Sequence, residues 1–174
     1  MKLKPIAVII PEDKFRDEEL FEPIEVWNAA EIPFVLASTR KGRVTGDLGG
    51  QAEATTLIAE LLPENFSAIV VIGGSGTVSH LWGNAGLHAK LKEFSAASKP
   101  TSAICAGSVT LAQAGLLKGR TATTYPLPLM IDALRDAGAP YSATGVIDHG
   151  DVITASGPAE AAEFARTVAL SLVR

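Results

Sequence analysis

The chain contains a single cysteine, Cys105, among its 174 residues. One cysteine excludes an internal disulfide and leaves a free thiol, which favours a reducing compartment. Aromatic residues make up only 6% of the chain, and positive charge is not in excess, because the formal net charge is −4. This balance gives no electrostatic reason to expect nucleic acid or an anionic membrane as a partner.

Long hydrophobic runs are also missing, since no apolar run approaches the length of a membrane span. The apolar run at residues 6–10 is too short for the core of a signal peptide followed by a cleavage site. Apolar residues form 47% and charged residues 20% of the chain, which is ordinary for a soluble globular protein. We therefore expect one domain over residues 1–174, located in the cytoplasm, with no membrane partner.

Apolar runs alternate with amphipathic segments along the chain, which is typical of an α/β fold with a mostly parallel sheet. Buried strands are predicted at residues 6–10, 34–38, 68–72 and 101–104. Shorter strands are predicted at residues 121–124, 144–147 and 152–154, the last two forming a hairpin. In residues 40–66, four glycines interrupt any strand, and only a short helix is predicted, at residues 56–62.

Cys105 lies between a predicted strand and a helix rich in small residues. A strand that turns sharply into a helix presents its corner residue above the sheet edge, close to the free N–H groups of the helix N-terminus. This placement predicts a thiol that is more acidic and more nucleophilic than a free cysteine. A lone cysteine among Ala and Ile is equally compatible with a small, inert buried side chain.

The first predicted helix carries four glutamates, of which Glu19 differs from the other three. Asp17 is the candidate N-cap of this helix. The apolar stripe consists of Leu20, Ile24 and Trp27. The opposite, solvated face consists of Glu18, Glu22 and Glu25. Glu19 lies between the two faces, at the sheet edge where α/β folds place their sites, so it is positioned to reach Cys105. The alternative is a partly exposed surface acid.

A glycine-rich turn, Gly73-Gly74-Ser75-Gly76, follows the third predicted strand. Its backbone N–H groups could hold a phosphate or the oxyanion of an attacked carbonyl. Ser79 stands where the dinucleotide-binding fingerprint needs a third glycine, so no dinucleotide cofactor is expected. The histidines have no metal-ligand spacing, and no metal is expected; they are His80, His88 and His149.

Several segments resemble the ThiJ/PfpI superfamily, which includes the parkinsonism-linked deglycase, small glyoxalases and intracellular peptidase-like proteins. The matching segments are Glu19 four residues before Pro23, Gly73-Gly74, Ala103-Ile-Cys-Ala-Gly107, Leu116-Leu-Lys-Gly-Arg120, Thr123-Thr-Tyr-Pro126 and Thr154-Ala-Ser-Gly-Pro158. They keep the family order over nearly the whole chain. The resemblance implies a flavodoxin-like three-layer α/β sandwich with helices on both faces of the sheet, a nucleophile elbow at Cys105, and a homodimer.

The resemblance also implies roles for particular residues. Cys105 is the nucleophile, Glu19 is the carboxyl group that hydrogen-bonds it, and the N–H groups of Gly74 and Ala106 stabilise the oxyanion. Glu19 must keep or share a proton, because an ionised carboxylate would raise the pKa of the thiol. Peptidase-like members have a histidine directly after the cysteine, and deglycase-like members commonly have one at the position of Tyr125. This chain has neither histidine, so a Cys–His–acid triad is not expected unless a partner subunit supplies one.

The expected function is that of a stress-protective enzyme of glyoxalase or deglycase type, a lyase or hydrolase acting on a small-molecule substrate without a cofactor. Cys105 would attack a reactive aldehyde such as methylglyoxal, Glu19 would move protons, and Tyr125 is a candidate for orienting the substrate. Two other functions use the same residues. One is a redox-sensing or chaperone-like protein with an oxidisable Cys105, and the other is a small hydratase or amidohydrolase.

Overall fold

The computed structural model describes residues 2–174. Within them the strands are β1 (Ile6–Ile9), β2 (Phe34–Ser38), β3 (Gly42–Thr45), β4 (Gln51–Ala54), β5 (Thr56–Leu57), β6 (Ala68–Val71), β7 (Thr101–Ile104), β8 (Val146–Asp148) and β9 (Val152–Ala155). Seven of them form one sheet in the order β5-β2-β1-β6-β7-β9-β8, and β3 and β4 form a separate antiparallel hairpin. Every pair in the large sheet is parallel except β8 with β9.

Six α-helices surround this sheet in the described part of the chain. They are α1 (Asp17–Ala29), α2 (Ser75–His80), α3 (Ala85–Ala96), α4 (Gly107–Gln113), α5 (Pro128–Asp136) and α6 (Ala161–Ser171). Helix α1 packs against α6, whereas α4 packs against α3 and α5. The two groups lie on opposite faces, since β1 and β6 lead in opposite directions across the sheet through right-handed crossovers. None of the helices within residues 2–174 has the length and apolar character needed to cross a membrane.

The core lies on both faces of the three central strands. Every residue of β1, β6 and β7 is buried, as expected for parallel strands that are covered by helices on both sides. The buried indole of Trp27 ties α1 to α6 by donating its Nε1–H to the carbonyl of Ala165 at 3.1 Å. The four predicted central strands are therefore confirmed to within one residue. The predicted hairpin is present as β8 and β9, with β8 beginning two residues later than predicted.

Three predictions about local structure are wrong. Residues 121–124 form no strand, and Ala122 makes only an isolated bridge with Tyr141. Residues 40–66 do contain strands, because the glycines of this segment lie mainly in the turn between β3 and β4 and not inside the strands. The predicted helix at residues 56–62 is replaced by β5 and a single 3₁₀ turn, Ile58–Glu60.

The predicted N-cap role of Asp17 is also wrong. Arg16 occupies the cap position of α1, and Asp17 is the first helical residue. The buried Asp17 carboxylate instead accepts the backbone N–H groups of Leu48 at 2.8 Å and Gly50 at 2.7 Å. Asp17 thus fixes the β3–β4 turn against α1, because these two amides are better placed to satisfy its charge than the N–H groups of its own helix.

The strand order brings three distant segments to one place. Because β1, β6 and β7 are neighbours and parallel, their carboxyl ends meet at the same edge of the sheet. Helix α1 follows β1, the turn beginning at Gly73 follows β6, and Cys105 follows β7. This edge is where open α/β sheets form their clefts.

Close packing of α4 on β6 predicts that Gly107→Ala destabilises the protein. A methyl group at Gly107 would lie 2.5 Å from the Val71 carbonyl oxygen, a backbone atom that cannot move away freely. We expect a loss of about 1–3 kcal/mol in the free energy of unfolding, measured by chemical denaturation. Gly83→Ala is the matched control, because a methyl group there would have no neighbour within 4 Å. Equal stability of the two variants would contradict this account of the packing.

Candidate active site

Cys105 occupies the corner between β7 and α4. Its backbone has φ +59°, a left-handed conformation that is strained for a residue other than glycine. Its N–H group donates to the carbonyl of Ala155 at 2.9 Å, which continues the pairing of β7 with β9 into the corner. The side chain is 6% exposed. The predicted strand, corner and helix are therefore present, with backbone strain at the corner residue, as is common at functional sites.

Glu19 reaches this corner from the first turn of α1 and is completely buried. One carboxyl oxygen, Oε1, accepts the Gly73 N–H at 3.0 Å, and the other, Oε2, is buried without a hydrogen-bond partner in the part of the chain that the structure describes. Gly73 has no room for a side chain, because a Cβ there would contact Oε1 of Glu19 and lie 2.7 Å from the Cβ of Cys105. Glu19, Gly73 and Cys105 thus pack directly against one another.

Burial controls the charge of this pair. Desolvation raises the pKa of Glu19 to about 8, although the neighbouring Cys105 thiol and the hydrogen bond from the Gly73 N–H act to lower it. Desolvation, followed by the charge of an ionised Glu19, raises the pKa of Cys105, whereas the backbone N–H groups of Ala106 and Gly74 lower it. At neutral pH both groups keep their protons. The expectation of a thiol more acidic than a free cysteine is wrong for the resting site, because burial outweighs the helix N-terminus.

A cavity of about 200 Å³ opens onto the pair. Its lining residues are Arg16, Glu19, Asp47, Gly74, Ser75, Cys105, Tyr125, Leu127, Met130 and Pro158. Larger hollows of about 600 and 510 Å³ lie elsewhere, but neither includes Cys105 or Glu19. The small cavity is the candidate active site because it holds the strained cysteine and the buried carboxyl group together.

Most of the candidate residues from the sequence lie together in this cavity. Cys105, Glu19, Gly74 and Tyr125 line it, and the N–H of Ala106 interacts with the thiol. Among residues 2–174, no histidine lines this cavity. Instead His88 bonds the carbonyl of Trp82 and His149 that of Thr121, both at 2.7 Å, while His80 lies 3.8 Å from Glu12.

The β3–β4 turn forms a wall of the cavity that the sequence did not predict. Asp47, in this turn, accepts hydrogen bonds from Ser75 through its backbone N–H at 3.0 Å and its hydroxyl at 2.6 Å. The Gly46-Asp47-Leu48-Gly49-Gly50 pattern was the available signal, since such a run favours a tight turn. Arg16, also missed, pairs with Glu18 at 2.6 Å beside the cavity.

The raised pKa of Glu19 predicts a pH-dependent cost to folding. In the unfolded chain the carboxyl ionises near 4.5 and in the folded protein near 8, so the free energy of unfolding falls as the pH rises between these values. Glu19→Gln should remove this contribution, which amounts to ~1.4 kcal/mol for each pH unit. Denaturation curves across this pH range test the prediction, with Glu22→Gln as the control on the same helix. Parallel pH profiles for wild type and Glu19→Gln would contradict it.

Comparison with known proteins places the chain in a family. The model of the DJ-1/PfpI family matches residues 4–170. An uncharacterised protein of Methanocaldococcus jannaschii is 42% identical over 98% of this chain and 81% of its own length. Protein/nucleic acid deglycase 2 of Escherichia coli is 30% identical over 94% of both chains.

Solved structures agree with this assignment. A ThiJ/PfpI domain protein from Brachyspira murdochii superposes with a TM-score of 0.94 at 28% identity, covering 99% of this chain and 98% of its own. Drosophila melanogaster DJ-1beta superposes with a TM-score of 0.86 at 25% identity, covering 98% of this chain and 91% of its own. The predicted flavodoxin-like fold is thereby confirmed. This chain belongs to the DJ-1/PfpI family.

Proposed function

We propose that this protein is a cysteine-dependent enzyme that converts small reactive carbonyl compounds into hydroxy acids, in the manner of a glyoxalase or deglycase. Membership of the DJ-1/PfpI family and relatives that are named deglycases support this class of reaction. The observation that carries the proposal is the buried Glu19 carboxyl group. It is neutral at neutral pH, it contacts the only thiol, and one of its oxygens is free of other partners.

The first step is addition of the thiol to the aldehyde. The Cys105 sulfur forms a bond to the aldehyde carbon, one proton leaves the thiol, and one proton reaches the carbonyl oxygen. Glu19 Oε2 is the free carboxyl oxygen through which these protons pass, so Glu19 ends the step with as many protons as it began with. The N–H groups of Gly74 and Ala106 stabilise the negative charge that develops on the oxygen.

The hemithioacetal then rearranges with the help of the same carboxyl group. In methylglyoxal, a proton moves from the carbon that carries sulfur to the neighbouring carbonyl carbon. The hydroxyl proton on the first carbon moves to the oxygen of that neighbouring carbonyl, and the product is a thioester on Cys105. Water cleaves this thioester to lactate and regenerates the thiol. The sum is methylglyoxal plus water giving lactate, with no net oxidation or reduction, so one proton-transferring residue and one nucleophile suffice.

The size and charge of the cavity favour small, uncharged carbonyl compounds. A volume of about 200 Å³ is below that of ordinary drug-sized sites. The Arg16 guanidinium is paired with Glu18, and within residues 2–174 no cation lies within salt-bridge distance of the Asp47 carboxylate. An anionic substrate would therefore meet the negative charge of Asp47. Tyr125, which is 38% exposed, forms part of the wall and is proposed to orient the substrate. The homodimer expected from the resemblance stays a prediction.

Lactate formation from methylglyoxal tests the proposal. We expect Cys105→Ala to abolish the activity, since it removes the only thiol of the chain. Glu19→Gln should lower kcat by about a hundredfold or more, the usual cost of losing a general acid–base group. Glu22→Gln, on the same helix but outside the cavity, should retain wild-type rates. Equal rates for wild type and Cys105→Ala would overturn the proposed function.

A further inference from the structure

Thr124 touches the reactive corner from outside the cavity. Its side chain is completely buried, and its hydroxyl donates to the carbonyl oxygen of Cys105 at 2.8 Å. This oxygen also accepts the Ser108 N–H within the first turn of α4, at a longer distance of 3.2 Å. Thr124 belongs to the irregular segment between α4 and α5 and lies 19 residues away along the chain. The Thr124 hydroxyl therefore binds the Cys105 carbonyl from a segment outside the strand–helix corner.

The carbonyl of Cys105 and the N–H of Ala106 belong to the same peptide group. A trans peptide is planar, so its C=O and N–H bonds point in opposite directions. Fixing the oxygen therefore fixes the direction of the N–H. In this structure the Ala106 N–H acts on the Cys105 thiol and lowers its pKa. The Thr124 hydroxyl therefore binds the carbonyl end of this peptide group, and the cysteine sulfur interacts with its N–H end.

The second N–H group near the sulfur is that of Gly74, and its peptide is also bound at the carbonyl end. The Gly73 carbonyl accepts the backbone N–H of Arg16 at 2.9 Å. The opposite end of that peptide is the Gly74 N–H, which also lowers the pKa of the thiol. Both peptides that direct an N–H at Cys105 are therefore anchored at their carbonyl oxygens. Only the anchor at Cys105 includes a side-chain hydroxyl, so only that anchor can be removed without altering the main chain.

An anchor is needed because the peptide after the corner can rotate. Cys105 has φ +59°, and a non-glycine residue keeps such a conformation only where its surroundings enforce it. Rotation of the Cys105–Ala106 peptide, through ψ of Cys105 and φ of Ala106, would turn the Ala106 N–H away from the sulfur. The indole Nε1–H of Trp82 restrains the following peptide by donating to the Ala106 carbonyl at 2.8 Å. Thr124 restrains the peptide whose N–H faces the reaction.

We propose that Thr124 is a positioning residue of the active site: its hydroxyl orients the Cys105–Ala106 peptide so that the Ala106 N–H stabilises the thiolate and the oxyanion. The part that concerns the oxyanion rests on the proposed function, whereas the part that concerns the thiolate does not. Thr124 touches neither substrate nor sulfur and acts only through the backbone.

Three variants separate positioning from simple packing. Thr124→Val keeps the shape of the side chain and removes the hydroxyl donor, and Thr124→Ser restores a hydroxyl. Thr123→Val is the matched control, because Thr123 is equally buried but its hydroxyl has no hydrogen-bond partner. Thr124→Ala takes the place of Thr124→Val if the latter does not fold, as judged by circular dichroism. For each protein, the rate at which iodoacetamide alkylates Cys105 is measured as a function of pH. The kcat and KM for lactate formation are measured as well.

We expect Thr124→Val to shift the alkylation profile to higher pH, because the thiolate loses a well-aimed N–H donor. The value of kcat should fall by about tenfold to a hundredfold with little change in KM, less than the cost of deleting an oxyanion donor outright. Thr124→Ser should recover most of both losses, and Thr123→Val should behave like wild type. An unshifted alkylation profile in Thr124→Val, or the same shift in Thr123→Val, would overturn the proposal. If wild type itself makes no lactate, the proposed function fails, but the alkylation profiles still decide the role of Thr124.

Discussion

The burial of one carboxyl group, that of Glu19, is the constraint on which the rest of the site depends. Its desolvation raises the pKa to about 8, and this keeps an acidic proton beside the thiol at neutral pH. The same burial requires a glycine at position 73, since any side chain there would collide with Glu19 and Cys105. It also requires that α1 be held firmly to the sheet, which the Trp27 indole secures through α6. A protein with a buried carboxyl group of raised pKa loses stability as the pH rises. A catalytic role for this carboxyl group best explains why it is buried.

The backbone around Cys105 is organised to direct N–H groups at one sulfur atom. Two of these N–H groups, those of Gly74 and Ala106, lower the pKa of the Cys105 thiol, and Cys105 itself has a strained φ. Each peptide is fixed at its carbonyl end by a donor that lies outside the turn itself. Such preorganisation matters for catalysis, because donors that are already aimed need not reorganise when charge develops on the substrate.

The β3–β4 turn completes the site on the solvent side. Asp17 fixes the turn to the first residue of α1, two residues before Glu19, and Asp47 fixes it to Ser75, next to Gly74. One turn therefore connects the helix that carries the carboxyl group with the loop that contains Gly74. Asp47, in this turn, also lines the cavity of about 200 Å³.

The sequence by itself determined the α/β class, the central strands, the corner at Cys105 and the candidacy of Glu19. These depend on local patterns: apolar runs, glycine turns and the periodicity of α1. The tertiary structure alone decided that the thiol has a raised pKa, that Asp17 binds a turn instead of capping its own helix, and that Thr124 anchors the elbow. The reason is that each of these outcomes depends on desolvation or on hydrogen bonds between residues far apart in the chain, such as the 31 residues between Asp17 and Leu48. The periodicity of a sequence indicates which face of a helix or strand is buried. It does not indicate which distant residue contacts that face.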